Sequence, residues 1–205
     1  MNCESVRGTV DKYDIIFSPP IGRGAFGTVH EGKDTDTGEK IAAKQLIIGG
    51  NADMLKTARQ EIQLIGDLQN HDNIVKLLGH YFTAELGWIF LEYCDLGNLN
   101  FYLMERPNLG MEGKVRIMHQ SACAVRFMHS QNPSIVHRDI KPENILLKQV
   151  NGEDTVKLSD FGMSKITNDN SMMSTQCGSQ FFMAPEILVE SEEVKYDASV
   201  DVFVS

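Results

Sequence analysis

The chain has 205 residues, of which 42% are hydrophobic and 23% are charged, and its formal net charge is −9. This composition is that of a soluble globular protein with room for one domain or two small lobes, and it excludes a disordered chain. The acidic balance argues against nonspecific nucleic-acid binding, no apolar run is long enough to span a membrane, and residues 1–12 lack the apolar core of a secretory signal, so we predict a cytoplasmic protein.

The first part of the chain has the pattern of short strands. Between Tyr13 and Leu46, two or three apolar stretches are separated by Ser18-Pro19-Pro20, by a glycine-rich loop and by a turn at residues 34–38. Clusters of Pro and Gly interrupt strands in this way. We therefore predict that the protein begins with a β-rich region.

An amphipathic helix follows these strands. From Asn51, a candidate N-cap, apolar residues recur at steps of three and four. They are Leu55, Ala58, Ile62, Ile65 and Leu68. Glu61 falls on the same stripe, where it either has a buried cationic partner or lies at the edge of the stripe and extends to water.

Two further strands and a second helix come next. Residues 74–82 and 88–92 are predicted strands, and the polar and glycine residues at 95–98 interrupt the pattern as a linker between two lobes would. A long helix follows this linker. We predict that its buried face holds Val115, Met118, Ala122, Val125 and Met128.

Gly22, Gly24 and Gly27 form a GxGxxG pattern, which alone fits several structures. In a dinucleotide-binding fold the glycines would open a helix, and in a simple glycine-rich hairpin they would form only a turn. Here residues 28–30 continue in strand-like residues, and a second strand ends at Lys44. The context favours a flap of two strands over the start of a helix.

Two motifs in the second half of the chain are the most specific. The first is the run His137-Arg138-Asp139-Ile140-Lys141-Pro142-Glu143-Asn144, and the second is Asp160-Phe161-Gly162 after a short strand. With the glycine loop and the run Ile41-Ala42-Ala43-Lys44, they resemble the eukaryotic protein kinase family of the serine/threonine type. Residues 73–79 and 135–136 are similar to its tyrosine-kinase-like group.

The resemblance implies an α+β, protein-kinase-like two-lobed fold. Residues 1–12 would be an N-terminal extension, residues 13–93 the β-rich N-lobe, and residues 94–205 the helical C-lobe. Residues 197–204 resemble the start of helix F, the buried helix that anchors the catalytic loop through Asp201. The family pattern continues beyond this point, so we expect an incomplete, truncated C-lobe and marginal stability.

The resemblance also implies a reaction, the transfer of the γ-phosphate of ATP to a protein hydroxyl with Mg²⁺. Asp139 would orient the attacking hydroxyl and accept its proton, and Lys141 would reach the transferred phosphate. Asn144 and Asp160 would bind the metal, since Mg²⁺ prefers oxygen ligands. A lysine at position 141 of the motif implies a serine or threonine acceptor in the protein substrate.

The nucleotide would be bound mainly by the first lobe. Lys44 would contact the α and β phosphates and would be held by an ion pair to Glu61, because an unpaired buried carboxylate costs several kcal/mol by order of magnitude. Backbone groups of Glu92 and Cys94 would bond the adenine edge. The residues implied to bind ATP are Ile21, Gly22, Gly24, Gly27, Val29, Ala42, Lys44, Glu92 and Cys94.

A regulatory segment is expected between residues 160 and 186. In kinases with an arginine before the catalytic aspartate, as Arg138 is here, that arginine binds a phosphate on this segment. The candidate phosphorylation sites are Ser171, Ser174 and Thr175. Ala184-Pro185-Glu186 matches the motif that closes the segment.

Two other functions are considered beside the kinase. A kinase fold could act as a nucleotide-binding or scaffold module without turnover, and the glycine motif could belong to a NAD-dependent enzyme. Every catalytic residue of the kinase pattern is present in this sequence, which favours the enzyme.

Overall fold

The computed structural model of the protein describes residues 6–24, 27–167 and 198–201. The chain divides into two compact units. The first unit comprises Met1–Gln69 and Val75–Tyr93, and the second comprises Asn70–Ile74 and Cys94–Ser205. Within the described residues, no helix is both long enough and apolar enough to cross a membrane.

The described part of the first unit is built on an antiparallel sheet of seven strands. The strands are β1 (Arg7–Val10), β2 (Tyr13–Ile16), β3 (Gly22–Gly24), β4 (Gly27–Asp34), β5 (Lys40–Ile47), β6 (Leu77–Phe82) and β7 (Leu86–Glu92). Their order is β1-β2-β4-β5-β7-β6, and β3 pairs with β4 beside this path.

The sequence predicted two or three strands between Tyr13 and Leu46, whereas four of the described strands, β2 to β5, lie in this stretch. The additional strand is β3, because the glycine motif, predicted as a loop between strands, itself pairs with β4. Strand β1 lies within residues 1–12 and pairs with β2 over its whole length.

Each face of this sheet carries its own apolar cluster. One cluster consists of Tyr13, Ile15, Ile41, Ala43, Trp88 and Phe90. The other consists of Leu46, Ile48 and Ile89 together with Ala58 of helix α1 (Ala52–Leu68). Because side chains alternate along a strand, Ala43 faces the first cluster and its neighbour Lys44 faces α1.

Helix α1 confirms the helix and the N-cap predicted from the sequence. The Oδ1 atom of Asn51 accepts hydrogen bonds from the backbone N–H of Asp53 at 2.9 Å and of Met54 at 3.3 Å. The buried residues of α1 are Ala58, Glu61, Leu64, Ile65 and Leu68. The predicted stripe is therefore correct in direction, although Leu55 and Ile62 are only partly buried.

A histidine is buried in the first unit without a polar partner. His30 of β4 packs near the rings of Phe17 and Trp88, with centroid separations of 5.6 Å and 6.0 Å. It is 4% exposed, and neither ring nitrogen has a hydrogen-bond partner among the described residues. Burying a polar group without a partner opposes folding.

We therefore expect His30→Phe to raise the free energy of unfolding by about 1 kcal/mol, because an apolar ring replaces an unsatisfied polar one. Urea titration measures this change. The matched control is His80→Phe, an exposed histidine on β6 of the same sheet, which should change the stability by less than about 0.5 kcal/mol. A loss of stability in His30→Phe would contradict this account.

The second unit is mixed, with helices and short strands in its described residues. The helices are α2 (Leu99–Glu105) and α3 (Met111–His129), and short 3-10 helices cover Phe161–Met163 and Ala198–Asp201. The strands are β8 (Ser134–Val136), β9 (Ile145–Val150), β10 (Glu153–Leu158) and β11 (Lys165–Thr167). Strand β9 pairs with β10, and β8 pairs with β11.

The β9–β10 hairpin sets the position of two loops that matter for function. Asn151 and Gly152 form its turn with φ angles of 52° and 85°, the left-handed conformation that an Asn-Gly pair adopts readily. The resulting register pairs Ile145 with Leu158 at the other end of the hairpin. The chain before Ile145 and the chain after Leu158 therefore lie side by side.

The buried face predicted for α3 is wrong over most of its length. Val115 and Met118 are 54% and 69% exposed, and Ala122 is also exposed. Met128 is buried as predicted, but Ile117 and Ala124 are its buried companions. The inward stripe is thus rotated relative to the predicted one.

Polar residues on the inward side of α3 explain the error. Ser121 lies one turn after Ile117 and donates its hydroxyl to the Ile117 carbonyl at 2.9 Å. Gln120 accepts a hydrogen bond from the Val156 N–H of β10 through Oε1 at 2.6 Å. Because these polar groups have partners, they occupy an inward face that a search for apolar periodicity does not detect.

The strand predicted over residues 74–82 begins later, at Leu77. Ile74 instead forms a parallel bridge with Leu158 of the second unit. Asn73 supports this arrangement, because its Nδ2 donates to the Val156 carbonyl and to Gln120 Oε1, both at 3.1 Å. Local patterns predict an extended segment here but not that its first residue, Ile74, belongs to the second unit.

Candidate active site

The first unit contains a buried ion pair. Lys44 of β5 and Glu61 of α1 approach to 2.6 Å between Nζ and Oε1. Lys44 is 7% exposed and Glu61 is 4% exposed. The predicted pair is therefore present, and the alternative in which Glu61 extends to water is wrong.

The sheet places other predicted nucleotide residues near Lys44. In the ladder, Lys44 pairs with Val29 of β4 and Ile89 of β7. Ala42 lies two residues before Lys44 on the same strand and therefore on the same face. The face of the sheet that carries Lys44 thus also carries the apolar side chains of Val29 and Ala42. Small and branched apolar side chains of this kind suit contact with the flat ring of a nucleotide base.

The glycine motif forms a hairpin of β3 and β4, in which Gly22 pairs with Val29 and Gly24 with Gly27. Gly27 has a φ of 147°, and a Cβ there would lie 2.0 Å from the Gln45 carbonyl oxygen, so a side chain cannot be accommodated. A strand follows the glycines rather than a helix. The helix-opening geometry of a dinucleotide-binding fold is therefore absent from this described hairpin.

The two predicted adenine contacts lie at the chain positions where the two units meet in sequence. In the first unit, the Glu92 N–H donates to the Lys76 carbonyl and its Oε1 accepts from the Lys76 N–H, both at 3.0 Å. In the second unit, the Cys94 carbonyl accepts from the Gly97 N–H at 3.2 Å. Any nucleotide contact at the Glu92 backbone is thereby limited to its carbonyl.

The second unit brings two other predicted site residues, Lys141 and Asn144, to Asp139. The Oδ2 atom of this buried aspartate accepts hydrogen bonds from Lys141 Nζ at 2.7 Å and from Asn144 Nδ2 at 2.9 Å. Asn144 Nδ2 also donates to the Asp139 carbonyl at 2.8 Å. The three residues therefore form one connected cluster, and the carboxylate is fixed in orientation.

Asp201 holds the backbone of this loop. Its Oδ2 atom accepts from the His137 N–H and its Oδ1 atom from the Arg138 N–H, both at 2.7 Å. His129 of α3 contacts the same carboxylate at 2.9 Å. Arg138 has a φ of 66°, a strained conformation for a non-glycine residue, and the paired hydrogen bonds offset that cost.

His137 connects the loop to the strand that precedes Asp160. It is fully buried, its Nε2 donates to the Ser159 carbonyl at 3.0 Å, and its Nδ1 accepts from the Asp139 N–H at 3.3 Å. This pattern fits a neutral imidazole with its proton on Nε2. Phe161, the residue after Asp160, packs against the same ring at a centroid separation of 5.2 Å.

Asn144 and Asp160 are the predicted metal ligands, and their donor set suits Mg²⁺. The Asn144 amide nitrogen is engaged by Asp139, which leaves the amide oxygen as its ligand atom. Asp160, at a φ of 63°, directly follows Ser159, whose N–H donates to the Asn144 carbonyl at 3.0 Å. Mg²⁺ is usually bound by one or two such protein oxygens, with phosphates and water completing the coordination.

No group of three or more His, Cys, Asp or Glu side chains in the described ranges is placed to hold a metal. The candidate set would not belong to such a group, because one of its two members is an asparagine.

Several predicted regulatory residues lie outside the described residues. These are Ser171, Ser174, Thr175 and Ala184-Pro185-Glu186. Arg138 is described, and its Nε donates to the Met163 carbonyl at 2.7 Å. The guanidinium is thus directed toward the start of the expected regulatory segment.

Comparison with known proteins agrees with this geometry. A model of the protein kinase domain matches residues 16–205. The chain is 35% identical over 185 residues to the serine/threonine-protein kinase KIC1 of Saccharomyces cerevisiae, an alignment that covers 89% of this chain and 16% of that protein. It is 35% identical over 190 residues to a probable myosin light chain kinase of Dictyostelium discoideum, covering 91% and 47%. It is 33% identical over 202 residues to the serine/threonine-protein kinase ULK1 of Homo sapiens, covering 95% and 19%.

The fold and the two side-chain clusters define an α+β protein with a protein-kinase-like fold, as the sequence predicted. The chain belongs to the protein kinase domain family. It spans less than half of the length of each of the three relatives.

Proposed function

We propose that this protein is an ATP-dependent protein serine/threonine kinase, with Asp139 as its catalytic base. The observation that carries this proposal is the cluster of Asp139, Lys141 and Asn144, which is connected by hydrogen bonds of 2.7–2.9 Å. Phosphoryl transfer depends mainly on positioning and on electrostatic stabilisation, and this cluster supplies both. Two of the three relatives are named as serine/threonine-protein kinases, which supports the acceptor class.

Each residue of the cluster has a distinct task in this proposal. Asp139 orients the serine or threonine hydroxyl and accepts its proton. Lys141, whose Nζ lies 2.7 Å from Asp139, places positive charge where the transferred phosphate meets that hydroxyl. Asn144 and Asp160 would hold Mg²⁺, which neutralises the charge on the phosphates when it is bound.

In the first unit, Lys44 would bind the α and β phosphates of ATP, and Glu61 would keep its ammonium in place. Both residues are buried, so the side chain of the lysine is held in one orientation before the nucleotide arrives. The glycine hairpin of β3 and β4 would cover the phosphates with its backbone.

The test has two stages on the 205-residue protein. A thermal melt with and without Mg-ATP should show stabilisation of about 2.7 kcal/mol at a hundredfold excess of ligand over its dissociation constant. Transfer of labelled phosphate is then measured to a mixed protein substrate, followed by identification of the labelled amino acids. We expect label on serine and threonine but not on tyrosine.

The contrary outcomes are distinct. Stabilisation by Mg-ATP without transfer would favour the nucleotide-binding or scaffold module over the enzyme. Stabilisation by NAD and not by ATP would contradict the assignment of the glycine motif.

The cytoplasmic location stays a prediction of the sequence, and imaging of the tagged protein would test it.

A further inference from the structure

Ser159, the residue before Asp160, makes three hydrogen bonds inside the catalytic cluster. Its backbone N–H and its Oγ both donate to the Asn144 carbonyl at 3.0 Å. Its own carbonyl accepts from His137 Nε2 at 3.0 Å. The residue is 7% exposed, so these bonds are shielded from water. Sequence reasoning gave no signal for this role, because a serine at the end of a strand is common.

These bonds fix the backbone from which the Asn144 side chain extends. The Asn144 N–H donates to the Lys141 carbonyl at 2.9 Å, and the Asn144 carbonyl is held by the two donors of Ser159. The Asn144 amide is fixed at its other end, where Nδ2 donates to Asp139. The position of the amide oxygen therefore depends on both ends being held.

We propose that the Ser159 hydroxyl is a positioning group for divalent metal binding, acting through Asn144 and through its neighbour Asp160. The inference rests on the proposed function, since it assumes that these two residues are the metal ligands. Without the hydroxyl, the Asn144 carbonyl keeps only the backbone donor of Ser159. Groups that orient metal ligands from outside the coordination sphere typically change metal affinity by about 10-fold to 100-fold when they are removed.

The test measures metal binding directly rather than phosphate transfer. Mn²⁺, which takes the same oxygen ligands as Mg²⁺, is titrated into the protein in the presence of ADP, and its binding is followed by the relaxation rate of water protons. We expect Ser159→Ala to bind Mn²⁺ about 10-fold more weakly than the unchanged protein. Ser159→Thr keeps the hydroxyl and should bind within about twofold of it. Asp160→Asn alters a proposed metal ligand, so its affinity for Mn²⁺ shows how weak binding becomes when a ligand is lost.

A matched control separates this role from a general loss of structure. Ser121→Ala also removes a hydroxyl bonded to a backbone carbonyl in the second unit, but far from Asn144 in the chain. It should leave the affinity for Mn²⁺ unchanged, and thermal melts without metal confirm that each variant is folded. Equal weakening in Ser121→Ala and Ser159→Ala would overturn the positioning role.

The remaining outcomes distinguish a failure of this inference from a failure of the proposed function on which it rests. If Ser159→Ala binds Mn²⁺ as tightly as the unchanged protein while Asp160→Asn does not, the inference is overturned and the proposed metal site stands. If the unchanged protein also fails to bind Mn²⁺ with ADP, both are overturned.

Discussion

Asp139→Asn is expected to slow phosphate transfer by about 10²-fold to 10⁴-fold, the range that a positioned general base contributes. An amide cannot accept the proton of the attacking hydroxyl. The substitution also disturbs orientation, because Oδ2 of Asp139 receives donors from both Lys141 and Asn144. An amide nitrogen at that position would face two other donors, so the side chain must turn and present its single oxygen to them.

The measurement is the initial rate of phosphate transfer at saturating Mg-ATP. Asp72→Asn is the matched control, since it makes the same chemical change at an exposed aspartate of the second unit. It should leave the rate unchanged. Binding of ATP without metal, followed by thermal melt, should persist in Asp139→Asn because Asp139 is not assigned to the nucleotide, whereas the affinity for the metal should fall because Asp139 Oδ2 holds the Asn144 amide. Equal rates in the two variants would remove Asp139 from the mechanism.

Local patterns predicted much of the first unit correctly. Helix α1 and its cap at Asn51 follow from the spacing of apolar residues and from one side-chain acceptor, both of which are local. Glu61 was placed on the buried stripe by the same spacing. The number of strands was underestimated because the glycine motif, expected as a loop, itself forms strand β3.

Contacts between distant residues were beyond local reasoning. The buried face of α3 was misjudged because Gln120 is satisfied by Val156, a residue 36 positions away. In the catalytic loop, the resemblance to protein kinases implied Asp139, Lys141 and Asn144 as a group. The double hydrogen bond from Ser159 to Asn144 was not predicted, since it depends on the register of the β9–β10 hairpin.

The Lys44–Glu61 pair should show the largest effect on stability. Removing one member of a buried, hydrogen-bonded ion pair typically costs about 3–5 kcal/mol, because the other charge loses its close partner. We therefore expect Lys44→Met and Glu61→Leu each to lower the free energy of unfolding by about that amount. Urea titration of each variant, with m values compared to confirm an unchanged native state, measures the loss.

The double variant Lys44→Met/Glu61→Leu separates the structural role of the pair from its chemical role. With both charges replaced by apolar side chains of similar size, the stability should return to within about 1–2 kcal/mol of the unchanged protein, because neither charge of the pair remains buried without the other. Phosphate transfer should not return, since no cation then faces the α and β phosphates. Additive losses in the double variant would show that the two residues do not act as a pair, and recovered transfer would show that Lys44 has no part in the reaction.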